Sequence, residues 1–266
     1  MLNLYKIALG PILLAQARWL RRTALRLPEA AGPREGIEGM ERIEETAGIR
    51  GLEGDARRPG TPLRILVVGD SSAAGVGVEV QAEALAQPVA RLLAARTGRR
   101  VAWQLVAKSG MNTHEALTLV NNSALPRADY LITALGTNDV TSQRKPSQFL
   151  ADYIALVDTL RTRTGACGLV VTGLPPLHIL PAAPHPLRWY LGRYAKRLDN
   201  LLFNWVERDP AARYVSLAWA ANPRDMARDK YHPGAGQYRQ WVEYVVDRIQ
   251  SLRQHETVTQ VVEPSS

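Results

Sequence analysis

The sequence has a single cysteine and no long apolar segment. Cys167 is the one cysteine among 266 residues, which excludes an internal disulfide and leaves no thiol pair for redox chemistry. We expect this residue to be a small buried side chain beside a strand. Residues 7–17 are apolar, but a spanning helix needs about 20 residues, and Gly10-Pro11 interrupts the segment. A simple transmembrane helix is therefore not expected.

The sequence also lacks complete motifs for common cofactors. The glycines Gly69, Gly75 and Gly77 are not followed by the Gly-Lys-Ser/Thr of a phosphate-binding loop. His114-Glu115 opens like a zinc-protease helix, but Thr118 stands where the second histidine should be. No basic stripe interleaved with aromatic residues occurs in the predicted folded part. We therefore predict no metal or other cofactor and no nucleic-acid partner.

Basic residues are concentrated at the N-terminus. The first 27 residues contain five basic residues and no acidic residue, against a formal net charge of +8 for the whole chain. The five are Lys6, Arg18, Arg21, Arg22 and Arg26. A helix that begins at Pro11 has most of its large apolar residues on one side and the four arginines on the other. Such a helix suits an anionic membrane surface, and it equally suits docking on the protein's own surface.

The order of these charges bears on targeting. Arginines follow the apolar segment, and only Lys6 precedes it, which argues against a cleaved signal peptide. We expect a cytoplasmic protein that is peripheral to the membrane if residues 11–27 bind lipid. After this region the sequence is rich in Gly, Glu and Arg and predicts a flexible linker. The predicted organisation is an amphipathic helix at 1–27, a flexible linker at 28–62, a folded domain at 63–253 and a disordered tail at 254–266.

Short buried strands alternate with helices along the predicted domain. The strands are predicted at residues 65–68, 101–107, 130–135, 168–173 and 214–217, and the helices at 83–97, 113–124, 147–164, 189–207 and 236–253. This alternation predicts an α/β fold in which a parallel sheet has helices on both faces. Ligands bind at the carboxyl ends of the strands in such sheets, so the turns at Ser71, Gly110, Asn138 and Leu174 are expected to converge.

The stretch from Arg64 to Gly77, RILVVGDSSAAGVG, predicts a buried strand, a turn and the start of a helix. Ser71 and Ser72 thus stand at the amino end of a helix, where free backbone N–H groups stabilise negative charge. This position suits a serine nucleophile. Asp and Ser are also preferred helix N-caps, so on this stretch alone capping explains the serines about as well as catalysis does.

A serine nucleophile needs a base, and His232 is accompanied by a carboxylate at a suitable spacing. Asp229 precedes His232 by three residues, so the two side chains can approach around one turn. Acyl transfer also needs hydrogen-bond donors for an oxyanion. The candidates are the backbone N–H groups after the Ser71 and Gly110 turns and the amide of Asn138. Taken singly, Gly110 is also explained by a tight turn and Asn138 by helix capping.

Four short segments carry a family resemblance when they are read together. They are Gly69-Asp70-Ser71, Gly110, Gly136-Thr137-Asn138-Asp139 and Asp229-Lys230-Tyr231-His232. In this order they resemble the four sequence blocks of the GDSL or SGNH hydrolase family, and the resemblance covers the whole predicted domain. Its register selects Ser71 rather than Ser72 as the nucleophile. One departure is Ser72 itself, where the motif that names the family has leucine.

The resemblance implies a fold and a set of roles. The fold is the SGNH hydrolase fold, a flavodoxin-like three-layer α/β/α sandwich with a five-stranded parallel sheet. The implied nucleophile is Ser71, the general base is His232, and Asp229 is the acid that orients the histidine. The implied oxyanion hole consists of the backbone N–H groups of Ser71 and Gly110 and the side chain of Asn138.

We predict a serine esterase that hydrolyses a small-molecule carboxylic ester through an acyl-enzyme. The same intermediate allows an O-acyltransferase or a thioesterase, and the non-enzymatic alternative is a membrane-tethered binding module. Residues 174–189 hold five prolines and predict an irregular loop that walls the acyl pocket. Asp70, Leu174 and Trp189 are the predicted substrate-contacting residues.

Overall fold

The computed structural model describes residues 2–39 and 61–262. Its strands are β1 Glu35–Glu38, β2 Leu63–Gly69, β3 Val101–Ala107, β4 Tyr130–Ala134, β5 Gly168–Thr172 and β6 Ala212–Val215. Its helices are α1 Leu2–Thr23, α2 Ala86–Thr97, α3 Thr113–Asn121, α4 Thr137–Thr141, α5 Pro146–Thr164, α6 Leu187–Val206 and α7 Ala235–Val262. The strands and helices alternate from β2 onward, so the predicted α/β class is confirmed.

The strands form one sheet in the order β1-β3-β2-β4-β5-β6. Strands β2 to β6 are parallel, and their order reverses between β2 and β4, as in flavodoxin-like folds. The sheet has a sixth strand that the sequence did not predict. Strand β1 pairs antiparallel with β3, with Glu35 opposite Gln104. The prediction of five parallel strands is therefore correct for the body of the sheet and incomplete at this edge.

Each face of the sheet carries its own apolar core. On β2, Leu66 and Val68 pack with buried residues of α3, α5 and α6, whereas Ile65 and Val67 pack with those of α2 and α7. Successive side chains of a strand point to opposite faces, so a strand that is covered on both faces must be apolar throughout. All seven residues of β2 are buried. The result is the expected three-layer α/β/α arrangement.

The segment predicted as a flexible linker is partly ordered. Residues 35–38 form β1, and the Glu29 carboxylate accepts a hydrogen bond of 2.7 Å from the Ser109 backbone N–H. Arg34 pairs with Glu29 and donates to the Ala107 carbonyl at 2.6 Å. The linker prediction is therefore wrong for this part, because its charged side chains and its backbone find partners at the edge of the sheet. Residues 40–60 of the predicted linker lie outside the described residues.

Three further predictions are corrected at other points of the chain. The N-terminal helix begins at Leu2 rather than at Pro11, and it contains this proline. The last helix continues to Val262, so most of the predicted tail at 254–266 is helical, and 263–266 lie outside the described residues. Cys167 is exposed rather than buried, because it precedes β5 instead of lying within the strand.

In the described part of the chain, no helix combines the length and apolarity that crossing a bilayer requires.

Helix α3 begins with a capping box that fixes the chain after β3. The Asn112 side chain accepts a hydrogen bond from the Glu115 backbone N–H at 3.0 Å, and the Glu115 carboxylate accepts one from the Asn112 N–H at 2.9 Å. Asn112 is therefore the N-cap of α3.

We expect Asn112→Ala to lower the free energy of unfolding by about 1 kcal/mol, because the Glu115 backbone N–H at the start of α3 loses its side-chain acceptor. The matched control is Asn121→Ala, an exposed asparagine in the last turn of the same helix, which should stay within about 0.5 kcal/mol of the wild type. Urea unfolding measures both values. Equal losses in the two variants would contradict the assigned cap.

Candidate active site

Ser71 follows β2 at the point where the order of the parallel strands reverses. The neighbouring strand β4 is followed by Asn138, so the two turns meet at the crevice where doubly wound folds bind ligands. Residues 71–77 form successive hydrogen-bonded turns rather than the regular helix that the sequence predicted. Within them, the Val76 N–H donates to the Ser71 carbonyl at 3.0 Å. The turns leave the Ser71 side chain half-buried at the crevice.

The loop before α7 brings a histidine and a carboxylate to this serine. His232 Nε2 lies 2.9 Å from Ser71 Oγ, and His232 Nδ1 lies 2.6 Å from Asp229 Oδ2. The other carboxylate oxygen of Asp229 accepts the backbone N–H groups of Tyr231 and His232, both at 3.0 Å. The structure therefore brings together the three residues that the sequence proposed as nucleophile, base and acid.

The environment of Asp229 favours its charged form. Burial raises the pKa of the carboxyl, but the hydrogen bonds from the His232 side chain and from the backbone of His232 and Tyr231 outweigh it. The net effect holds the pKa of Asp229 below its usual range. An ionised Asp229 keeps the proton of neutral His232 on Nδ1, which leaves Nε2 as an acceptor facing Ser71.

A close backbone contact holds the histidine loop in place. Gly77 has a φ of +112°, and a Cβ atom built there would lie 2.1 Å from the Pro233 carbonyl oxygen. Only glycine allows the turn after Ser71 to approach the residue after His232 this closely. From α7, the Tyr238 hydroxyl donates to the carbonyls of Ser72 at 2.7 Å and Val76 at 2.9 Å. The serine turn and the histidine loop are thereby fastened to each other.

The donors proposed for an oxyanion differ in their present partners. Among the described residues, the backbone N–H groups of Ser71 and Gly110 have no hydrogen-bond acceptor. Asn138 Nδ2 donates to the Met111 carbonyl at 3.0 Å and approaches Asp70 Oδ2 at 3.3 Å. The amide therefore ties the turn after β4 to the turns after β3 and β2. Its position in the crevice wall is fixed by these contacts.

Asp70 is a buried carboxylate directly beside the site. Its side chain accepts the Ser72 backbone N–H at 3.1 Å and the Asn138 amide at 3.3 Å. Burial raises its pKa to about 6, against the lowering effects of the Ser72 N–H and the nearby His232. The sequence named Asp70 as a substrate contact. In the structure its hydrogen bonds go to Ser72 and Asn138, so it positions the serine turn and the amide.

Two residues that support the site escaped the sequence analysis. Asp139 is fully buried and accepts both the backbone N–H of Thr113, at 3.0 Å, and its hydroxyl, at 2.8 Å. This contact fixes the start of α3 against the turn after β4. Asp139 belongs to the third quoted block, which was the available signal. Glu29, which binds the residue before Gly110, had no signal because it lies among the charged residues of the predicted linker.

An apolar cavity lies beside Ser71. Its wall is formed by large apolar side chains from the loops after β4, β5 and β6 and from α7: Leu135, Leu177, Ile179, Leu180, Leu217 and Trp241. Residues 177–179 form a 3-10 turn, and Leu177 and Leu180 are buried. The proline-rich segment thus supplies one wall, as the sequence predicted.

Two predicted substrate contacts are displaced from this cavity. Leu174 is not among the described residues that line it; its side chain is buried in the core and packs over Gly136. Trp189 is also absent from the lining, and its ring packs edge-on against Tyr5 of α1 at a centroid distance of 5.1 Å. Contact of these two side chains with a substrate stays a prediction, and the loop residues that do line the cavity lie between positions 175 and 180.

Comparison with known protein families identifies the family of this chain. The model of the GDSL-like lipase/acylhydrolase family matches residues 67–240, a range that contains Ser71, Asn138, Asp229 and His232. The chain belongs to this family. Membership in a lipase/acylhydrolase family agrees with the α/β/α fold described above.

Individual relatives are distant. A GDSL-like esterase of Mycobacterium tuberculosis (strain ATCC 25618 / H37Rv) is 28% identical over 187 residues, which are 66% of this chain and 58% of the relative. The chain thus spans little more than half the length of that relative. A carbohydrate esterase family 2 enzyme from Corynascus thermopiles (Myceliophthora fergusii) has a TM-score of 0.56 at 17% identity, covering 74% of this chain and 68% of that one.

A second solved structure gives the same result. The psychrotrophic esterase of Pseudoalteromonas sp., inhibited by monoethylphosphonate, has a TM-score of 0.51 at 18% identity and covers 72% of this chain and 98% of that one. At these identities the structural similarity shows the shared fold alone.

We expect Gly77→Ala to lower the turnover of a short-chain aryl ester about 100-fold, because the added methyl group displaces Pro233 and with it His232. Gly98→Ala is the matched control: this glycine also has a positive φ, +63°, but no atom lies within 4 Å of the added Cβ. The control should lose about 1 to 2 kcal/mol of stability and keep its turnover. Equal loss of turnover in both variants would show that the contact does not position His232.

The raised pKa of Asp70 predicts a pH-dependent stability. The folded protein holds this proton up to about pH 6, whereas the ordinary value is 3.8. The contribution of protonated Asp70 to the free energy of unfolding is therefore fully present below its pKa in the unfolded chain. It is lost as the pH rises through its pKa in the folded protein. Asp70→Asn cannot ionise, so the wild type should lose about 2 to 3 kcal/mol relative to this variant between about pH 4 and pH 7.

Urea unfolding at several pH values measures this difference. Asp158→Asn, at an exposed position of α5, serves as the control and should follow the wild-type curve. A constant difference between wild type and Asp70→Asn across this range would contradict a raised pKa for Asp70.

Proposed function

We propose that the protein hydrolyses carboxylic esters through an acyl-enzyme formed on Ser71. The observation that carries the proposal is the continuous pair of hydrogen bonds from Asp229 through His232 to Ser71, at 2.6 Å and 2.9 Å. Nucleophile, base and orienting acid are within direct reach of one another, as acyl transfer by a serine requires. The described part of the chain contains no cluster of three or more potential metal ligands.

The first half of the reaction forms the acyl-enzyme. Ser71 Oγ attacks the carbonyl carbon of the ester while His232 Nε2 accepts the hydroxyl proton, and the carbonyl oxygen becomes an oxyanion. Asp229 stabilises the resulting imidazolium. When the tetrahedral intermediate collapses, the bond to the alcohol oxygen breaks and His232 protonates the leaving alcohol. In the second half, water attacks the acyl carbon while His232 accepts a proton from it. The bond to Ser71 Oγ then breaks, His232 returns the proton to Ser71, and the acid is released.

The oxyanion needs donors that are already in position. The free backbone N–H groups of Ser71 and Gly110 are suited to this role, because neither has an acceptor among the described residues. We assign the third donor to Asn138, whose amide lies in the crevice wall and is oriented by Met111 and Asp70. To serve the oxyanion, this amide must direct one of its protons away from Asp70, its longer contact at 3.3 Å.

The cavity beside Ser71 indicates which part of the substrate lies there. Leucine, isoleucine and tryptophan side chains form its wall, so an apolar acyl group gains the free energy of leaving water. We therefore expect a small-molecule ester with an apolar acyl group. An O-acyltransferase or a thioesterase would use the same acyl-enzyme, but no contact among the described residues favours either.

We expect Ser71→Ala to reduce turnover of a short-chain aryl ester at least 1000-fold while the unfolding free energy stays within about 1 kcal/mol of the wild type. The adjacent Ser72→Ala is the control and should remain within about 5-fold, because its backbone rather than its hydroxyl makes the contacts seen here. A fluorophosphonate probe with mass detection should label wild type and Ser72→Ala at Ser71. Retained turnover or retained labelling in Ser71→Ala would overturn the proposal.

A further inference from the structure

Helix α1 exposes an unusual number of large apolar side chains. Of the nine large hydrophobic residues that are exposed in the described part of the chain, five lie on α1 and a sixth lies just beyond its end. They are Tyr5, Ile7, Ile12, Leu14, Trp19 and Leu25. Single exposed apolar residues are ordinary, but a cluster on one element marks a surface that contacts something apolar.

The opposite side of α1 is already occupied by the protein. Leu13 is 7% exposed and belongs to the core formed with α5 and α6, and Leu9 and Leu20 pack against the same core. The Gln16 side chain donates to the His185 carbonyl at 2.6 Å and accepts the Leu187 N–H at 3.0 Å. Docking on the protein, one of the two alternatives left by the sequence, therefore accounts for one side of the helix only.

The outward side has two parts of different character. Its apolar residues lie on two flanks: Ile7, 78% exposed, shares one flank with Leu14, and Trp19, 54% exposed, shares the other with Ile12. Towards the C-terminus Arg18, Arg21 and Arg22 are exposed, as is Arg26 beyond the helix. The first 27 residues contain no acidic side chain that would neutralise these arginines.

We propose that this outward side of α1 binds the surface of an anionic membrane. Apolar side chains and tryptophan at the level of the head groups, with arginines beside them, match the chemistry of an anionic lipid surface. A second copy of the chain fits poorly, because two such faces would place their arginines against each other without a counter-charge. The helix lies in the interface, in agreement with the absence of a membrane-crossing helix among the described residues.

The bound membrane would lie close to the wall of the cavity. The inner side of α1 contacts residues 185–187 through Gln16, and Tyr5 packs on Trp189. These contacts fall in the proline-rich stretch at residues 174–189, which also contributes Leu177 and Leu180 to the cavity beside Ser71. A protein bound through α1 would therefore hold this wall of the cavity close to the lipid, with only α1 packed between them. Binding itself does not depend on the proposed esterase activity.

Vesicle sedimentation of the full chain tests the proposal. We expect binding to phosphatidylcholine vesicles that contain phosphatidylglycerol and much weaker binding to phosphatidylcholine alone. Arg18→Gln/Arg21→Gln/Arg22→Gln should weaken binding to the anionic vesicles on the order of 100-fold, because each basic residue near the surface contributes. Arg127→Gln/Arg208→Gln/Arg239→Gln removes the same charge at exposed positions outside α1 and should have little effect.

The apolar part is tested separately. Ile7→Ser/Trp19→Ser should lose most vesicle binding, whereas Val80→Ser, at a residue that is 41% exposed outside α1, should retain it. Urea unfolding checks that each variant keeps its fold. Three results would overturn the proposal: equal binding to neutral vesicles, an equal loss in the control charge variant, or no vesicle binding at all. A dimer of the wild type that Trp19→Ser dissociates would instead identify a second copy as the partner.

Discussion

The hydrogen bond between His232 and Ser71 joins two segments that are 161 positions apart in the sequence. A bond of 2.9 Å between such distant residues requires that the turn after β2 and the loop before α7 be fixed independently of the two side chains. Two contacts supply this. Pro233 approaches Gly77 so closely that no side chain fits between them, and the Tyr238 hydroxyl binds carbonyls of the serine turn. The geometry of the Ser71–His232 pair is therefore a property of backbone packing.

A second constraint acts at the same place through Asp70. Its carboxylate is buried, which costs free energy when it is charged, yet it fixes both the serine turn and the Asn138 amide. Asp139, which follows the neighbouring strand β4, is also a buried carboxyl: burial raises its pKa, and Thr113 donates two hydrogen bonds to it. The site is therefore held by buried carboxylates whose hydrogen bonds connect the turns after β2, β3 and β4. Such groups favour a single arrangement of the turns at some cost in stability.

The sequence predicts those parts of the structure that follow local rules. Strand β2 is recognisable because burial on both faces demands an uninterrupted apolar run, and the first three motif blocks come at or soon after the ends of β2, β3 and β4. Strand β1 is polar and four residues long, and its pairing partner is remote, so no local pattern marks it. The contact of Glu29 with Ser109 is also unmarked in the sequence, because its partner is equally remote. The positions of Leu174 and Trp189 depend on the path of an irregular loop, which the sequence does not determine.

The N-terminal helix shows how far amphipathicity alone can mislead. Viewed in the sequence, its apolar residues form one side and its arginines the other, which leaves membrane binding and docking as alternatives. In the structure these are not alternatives, because Leu13 and Gln16 face the protein while Ile7 and Trp19 face solvent. The apolar residues divide between two sides of the helix. A helix that already buries one side on the protein and still exposes apolar residues beside arginines has surface left for a second, charged and apolar, partner.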